Sequence, residues 1–413
     1  MNDEICAETG CFAHLFEGPM DFGFFHELLS IDSTSGKERK VAEWLAERLP
    51  GMFPEANRPL LRVDEVGDGT LNLLLTWGTP RIVFCSHMDT VPPYIPPAFP
   101  EGVFLSEPSL RDPSQSKLWA PPGSRETVSP PIVPQGTSAL RGVAEGGHRF
   151  GEEHPLRSDA NAQIEGRGSC DAKGQVFALV ETCKRLAEEG CTDFGLLLLA
   201  GEETGSWGAK AFAKTDFRAE YLVVAEPTEN CMISASKGTK SFDLKFSGEA
   251  FHSGYPQYGV SAVDLFVDFV NTLKAKDFGM DPVLGETTWN IGLLHSDNPQ
   301  NILSPELTCR IYFRTTFLSD EAVTKWMADS QGERLTVTPR GGDTPARYWT
   351  VPGLPSKPAS FGTDAPHLTN FAHKAICGPG TIAVAHRDDE HVRVADLATA
   401  VSQYLALYRT ATK

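Results

Sequence analysis

Gly195-Leu196-Leu197-Leu198-Leu199-Ala200-Gly201-Glu202-Glu203-Thr204-Gly205 decides how the rest of the chain is read. Four consecutive leucines entered from a glycine predict a strand buried on both faces, as in the middle of a parallel sheet. The strand then delivers two adjacent carboxylates flanked by glycines. Burying a carboxylate is costly unless a cation or hydrogen bonds compensate. Successive side chains of an extended chain point to opposite sides. Glu202 and Glu203 are therefore expected to serve different ends, one facing a metal and the other a substrate. A solvated turn after a core strand accounts for these residues equally well at this point.

Working outward, the same arrangement recurs. Asn72–Thr76 and Arg81–Ser86 read as strands, and the second runs into Ser86-His87-Met88-Asp89-Thr90-Val91-Pro92. His87 and Asp89 face one way on an extended chain, which suits a histidine ligand whose ring a carboxylate holds. A His-x-Asp pair is common by chance, but the C-terminal edge of a strand is where α/β sheets bind ligands. Asp171 precedes a helix carrying Val176, Leu179, Val180, Cys183 and Leu186 on one face and closing near Gly190. It reads either as an N-cap or as a metal ligand. Tyr221-Leu222-Val223-Val224-Ala225-Glu226-Pro227-Thr228 is another buried strand ending in a carboxylate. Residues 22–50 read as helical, interrupted at 31–38 by a turn with a cap expected at Ser33 or Ser35. Strands alternating with helices predict an α/β sheet.

At 413 residues two domains are expected. The net charge of −17 argues against nucleic-acid and anionic-membrane partners. Nine scattered cysteines without a CxxC pair favour a reducing, cytoplasmic setting over a disulfide framework or a thiolate zinc site. No signal-peptide pattern or membrane-spanning run is seen. Residues 92–162 are dense in Pro, Gly, Ser and charge and show no period, so they read as an insertion or as a gene-model error.

From about 234 the pattern changes. Ser241–Phe246 alternates cleanly, and Ser261–Leu273 is amphipathic with Val263, Phe266, Val267 and Val270 predicted inward. Thr308–Arg314 alternates again, and a helix at Asp320–Met327 and a strand at Arg334–Val337 follow. The order suggests a β-α-β-β-α-β sandwich. The expected map is a first domain at 1–233 and 343–413, interrupted by a second at 234–342. The first domain resumes at Phe361-Gly362-Thr363-Asp364-Ala365, with a strand at 374–377. It closes with Ala385-His386-Arg387-Asp388-Asp389-Glu390 and a helix at Val394–Tyr408.

The collected candidates are His87, Asp171, Glu203, Glu226 and His386. Two imidazoles and three carboxylates suit two zinc-like ions with one carboxylate between them. Glu202, adjacent but not a ligand, is placed to take a proton from an activated water and pass it to a leaving amine.

Six motifs carry a resemblance: Ser86–Pro92, Gly166–Gly174, Gly201-Glu202-Glu203, Ala225–Thr228, His252–Pro256, and Gly378-Pro379-Gly380 through His386 to Glu390. Over 20–91 and 164–413 the chain resembles the dizinc metallohydrolases that include acetylornithine deacetylase, succinyl-diaminopimelate desuccinylase, aminoacylase and glutamate carboxypeptidases. The resemblance implies a zinc-exopeptidase-like α/β catalytic domain, a mixed sheet flanked by helices, with an inserted ferredoxin-like lid and dimerisation domain. It implies that His87 and Glu226 bind one zinc, Glu203 and His386 the other, and Asp171 both, with cobalt as an alternative metal. Asp89 then orients His87, Glu202 is the general acid/base, and the Asp171–Ala172 bond is cis. It further implies a homodimer in which His252 stabilises the oxyanion across the interface, Asn301 assists, and Arg314 grips a substrate carboxylate. The expected reaction is hydrolysis of an amide bond beside a free carboxylate. An N-acyl amino acid is favoured by the C-terminal motif, and a short peptide is the alternative. A catalytically impaired metal-binding protein and a dimeric binding module are the readings of other classes.

Overall fold

The computed structural model describes residues 19–67, 69–100, 103 and 162–413. A six-stranded mixed sheet organises the body. Its order is Leu60–Glu65, Leu71–Gly78, Asp193–Leu199, Ile82–His87, Ala219–Val224 and Phe371–Ile376. The first three strands pair antiparallel, and the last four run parallel. Leu196 to Leu199 are fully buried, as the leucine run predicts. At about 2 kcal/mol per buried leucine, their burial holds this strand in place and so fixes where its carboxylates emerge.

Helices cover the sheet. Lys173–Glu188 packs Val176, Phe177, Leu179, Val180, Cys183 and Leu186 into the main core, beside the C-terminal helix Val394–Ala411. Phe25 of the helix Phe22–Leu29 stacks on Phe177 at 4.6 Å between ring centroids. The helix Arg39–Arg48 has Glu38 at its N-cap without a side-chain cap bond, so the expected cap at Ser33 or Ser35 is not made. The Ser35 hydroxyl donates to Asp89 instead.

A second sheet has its own core. Thr288–His295, Glu306–Thr315, Gly238–Ser247 and Leu335–Gly341 lie side by side, all antiparallel. With the helices Ala262–Ala275 and Asp320–Asp329 the chain order is β-α-β-β-α-β. The strand 288–295 was not legible in sequence, because its burial alternates only weakly and ends exposed. Phe242, Leu244 and Phe246 pack against Phe269, Leu273, Val323 and Met327, while Asp243 on the other face pairs with Arg310. The inward face of Ala262–Ala275 is Ala262, Phe269 and Leu273, so the predicted stripe is corrected at Val263 and Val267, which are exposed.

The start of the atypical segment also needs correction. Residues 92–100 belong to the packed body: Ala98 bridges Glu165, and Ile95 accepts from the Arg167 amide. Phe99 packs on Phe25, and Val103 is buried in the main core. The rest of the predicted insertion, 101–102 and 104–161, lies outside the described residues. Cys85, Cys170, Cys183, Cys309 and Cys377 are free buried thiols, in keeping with the absence of a disulfide framework, whereas Cys231 is disulfide-bonded, which a reducing setting does not predict. Among the described residues no helix is long and apolar enough to cross a membrane.

Candidate active site and metal centre

The parallel register explains why the candidates meet. His87 pairs with Leu199, and Cys85 with Val224, so three adjacent central strands end level with one another. His87 closes one strand, Glu202 and Glu203 follow the next, and Glu226 follows the third. Asp171 arrives from the loop before the helix Lys173–Glu188, and His386 from the loop after the edge strand Phe371–Ile376. The His386 backbone is left-handed at φ +65°, uncommon for a residue with a side chain.

These side chains form two triads. His87, Asp171 and Glu226 present ligand-type atoms within 4.8 Å of one another, and so do Asp171, Glu203 and His386. Asp171 belongs to both and turns one oxygen to each histidine. His87 Nε2 lies 3.1 Å from Oδ1, and His386 Nε2 lies 3.3 Å from Oδ2. His386 Nε2 is also 3.0 Å from Glu203 Oε1. Asp171 is not the N-cap of its helix; Ala172 is, and the Asp171–Ala172 peptide is cis.

Electrostatics follow from crowding acids in a buried place. Burial opposes protonation of His87, yet hydrogen bonds to Asp171 and Asp89 raise its pKa well above the usual range. Hydrogen bonds to Asp171 and Glu203 push His386 up to about 10. Burial raises Glu202 and Glu226, with neighbouring acids adding to it. One buried oxygen of Glu226, Oε1, has no hydrogen-bond partner. An orphaned buried carboxylate oxygen grouped with the His87 imidazole and the Asp171 carboxylate fits a divalent cation.

Asp89 does more than the sequence suggested. His87 Nδ1 lies 2.9 Å from the Asp89 main-chain oxygen and 3.4 Å from its carboxylate. The carboxylate chiefly accepts from the Glu202 amide at 3.0 Å, the Glu203 amide at 3.2 Å and the Ser35 hydroxyl at 2.9 Å. It therefore pins the turn that carries both glutamates. The Glu202 carboxyl feels the charges of His87, Glu203 and Asp171, which places it beside the cluster.

Sequence reasoning missed Asp364. It is buried, its Oδ1 is unpartnered, and burial pushes it up to about 6. Its motif was visible, but no spacing rule connects residue 364 with His87; only the fold does. The Arg314 guanidinium reaches the same loop, within 3.9 Å of where a Gly362 side chain would begin. Among the described residues it forms no ion pair and lies over the Tyr312 ring. His252 and Asn301 are exposed and adjacent: His252 bridges Ile302, and the Ser253 amide donates to the Asn301 carbonyl. Neither touches the triads. A cavity of about 630 Å³ meets the glutamate turn through Gly201 and Thr204, but no triad side chain lines it.

Residues 145–410 match the sequence profile of Peptidase family M20/M25/M40. The chain belongs to this family. It is a hydrolytic enzyme of a metal-dependent peptidase family, and the two triads are its potential metal site. A probable carboxypeptidase of Aspergillus terreus is 28% identical, covering 94% of this chain and 86% of its own. A peptidase M20 domain-containing protein of Sordaria macrospora is 29% identical over 93% of this chain and 83% of its own. Among solved structures, a Staphylococcus aureus tripeptidase superposes with a TM-score of 0.67 at 18% identity, covering 94% of this chain and 97% of its own. An M20 metallo-carboxypeptidase of Sulfolobus solfataricus gives 0.60 at 13% identity, covering 95% and 99%. These two likenesses bear on the fold, whose α/β body with mixed sheets flanked by helices this M20 peptidase shares.

Proposed function

We propose that this M20 peptidase cleaves the amide bond next to a free carboxylate in short peptides, as a carboxypeptidase or dipeptidase. The observation that carries the reading is Asp171 shared between two histidine-carboxylate triads, which supports a two-metal centre. His87 and Glu226 would hold one ion, Glu203 and His386 the other, and Asp171 both; zinc suits this oxygen and nitrogen donor set, and cobalt is the alternative. Bound there, such ions lower the pKa of a water and polarise the scissile carbonyl. Glu202 accepts the proton of the attacking water and returns it to the leaving amine. Asp89 keeps the Glu202–Glu203 turn seated while this happens. Arg314, unpaired beside the 361–364 loop, suits a substrate carboxylate, since a guanidinium fork matches its two oxygens.

His252 and Asn301 sit on the second sheet unit, away from the triads. That supports their acting across a homodimer interface, with residues 234–342 as the lid and dimerisation domain and 1–233 with 343–413 as the catalytic one. The C-terminal motif favours an N-acyl amino acid substrate of the acetylornithine type, whereas the relatives named carboxypeptidase favour peptides; the peptide reading takes precedence. A hydrolysis screen of dipeptides, tripeptides and N-acetyl amino acids with zinc or cobalt tests it. Turnover of peptides with a free C-terminus, lost on C-terminal amidation, is expected. Turnover of N-acetyl amino acids alone would overturn the peptide reading, and no metal-dependent turnover of any would overturn both.

A further inference from the structure

We infer that Glu390, seated by Arg167, is a positioning residue that sets Asp171 and the His386 loop in register for metal. The inference rests on the proposed ligand role of Asp171. Glu390 Oε1 accepts three main-chain hydrogen bonds, from Gly168 at 2.9 Å, Cys170 at 3.1 Å and Asp171 at 2.9 Å. Its other oxygen takes Arg167 Nη1 at 2.5 Å, with both side chains essentially inaccessible to solvent. Arg167 also donates to the main-chain oxygens of Arg387 and Pro93, and its own amide donates to Ile95. One ion pair therefore joins three segments: the one following His87 and Asp89, the loop ending at Asp171, and the turn just past His386.

A purely stabilising role is a weak explanation of this arrangement. A buried ion pair loses hydration on both partners and is often matched or bettered by apolar side chains of similar volume. Three amides converging on one oxygen form a concave anion site, and that geometry dictates the path of the backbone. The path matters because Asp171 must turn its two oxygens toward two histidines on different segments. Arg167 and Glu390 touch no triad side chain through their own side chains, so their effect passes through the backbone of Asp171 and through Arg387, next to His386.

The test uses the full chain stripped of metal by chelation. Zinc affinity is read by competition with a chromophoric chelator, and stability by thermal unfolding without metal. Glu390→Gln keeps size and an acceptor oxygen but loses the charge that Arg167 and the three amides face. It is expected to weaken zinc binding by about 10- to 100-fold, the range seen when groups supporting metal ligands are changed. Because Asp171 is in both triads, both binding steps should weaken, whereas Glu226→Gln should weaken one. Glu181→Gln is the control, a fully buried carboxylate paired with Lys184 midway along the helix Lys173–Glu188 that follows Asp171. It should cost stability without changing zinc affinity. If Glu390→Gln loses stability as the control does while both affinities stay within twofold of the parent, the inference is overturned. Should Glu390→Gln fail to fold, Arg167→Lys leaves the carboxylate and its amide donors in place and removes only the fork. A several-fold loss of affinity supports the inference, and none overturns it. A parent chain that binds zinc no better than His87→Ala would instead overturn the metal-centre reading itself.

Discussion

Asp89→Ala is the most informative single change outside the ligand set. The Asp89 carboxylate accepts from the Glu202 amide, the Glu203 amide and the Ser35 hydroxyl, and it is fully buried. Truncation leaves three donors without an acceptor in a place water cannot easily reach. At about 1–2 kcal/mol per donor, less for Ser35 because its hydroxyl can rotate, the expected loss is roughly 3–5 kcal/mol. Asp89→Asn keeps one acceptor and turns an amide toward another donor, so about 1–3 kcal/mol is expected. Both changes loosen the turn that presents Glu203, so zinc affinity should fall about 10- to 100-fold. Urea unfolding of the metal-free chain reads the first effect, and chelator competition reads the second. A double-mutant cycle with Ser35→Ala should return a coupling of about 0.5–1.5 kcal/mol, since the two side chains are in contact. If Asp89→Ala lies within about 1 kcal/mol of the parent and binds zinc normally, the turn is held by something else and the argument fails.

Three further outcomes are expected. Glu202→Gln should cut turnover about 10²- to 10⁴-fold with zinc content unchanged; loss of metal in this variant would make Glu202 a ligand instead. Arg314→Lys should raise KM for peptides with a free C-terminus far more than it lowers kcat, because the fork is lost but the charge remains; an unchanged KM would remove Arg314 from substrate recognition. Zinc binding should release protons at neutral pH. The His386 pKa is raised from 6.5 to about 10 in the metal-free site, so the stability it contributes is present below 6.5 and lost as pH rises through about 10. A cation must displace that proton, so affinity should climb with pH across the neutral range. Calorimetry in buffers of differing ionisation enthalpy measures the release, and buffer-independent heats would contradict it.

Much of this protein is written locally. Leucines 196–199 read as a doubly buried strand because the run is too short for a buried helix, and His87, Glu203 and Glu226 stand at or just past such strands and Asp171 just before a helix, whereas His386 lies in a loop. The sequence alone therefore determined the α/β class, the family and the five residues that meet in the two triads. It did not determine what holds them. Asp364 and Asp89 act at the site through neighbours more than 100 residues away in the chain, and Glu390 reaches the amides of Gly168, Cys170 and Asp171, which lie 222, 220 and 219 residues earlier. No periodicity encodes such pairings, since they exist only once parallel strands in register bring their ends level. The edge strand 288–295 and the inward face of the helix 262–275 were illegible for a related reason: which side of an amphipathic element is buried depends on what packs there. Side-chain chemistry is a property of the residue, but burial, and with it the charge a buried acid or imidazole carries, belongs to the tertiary structure.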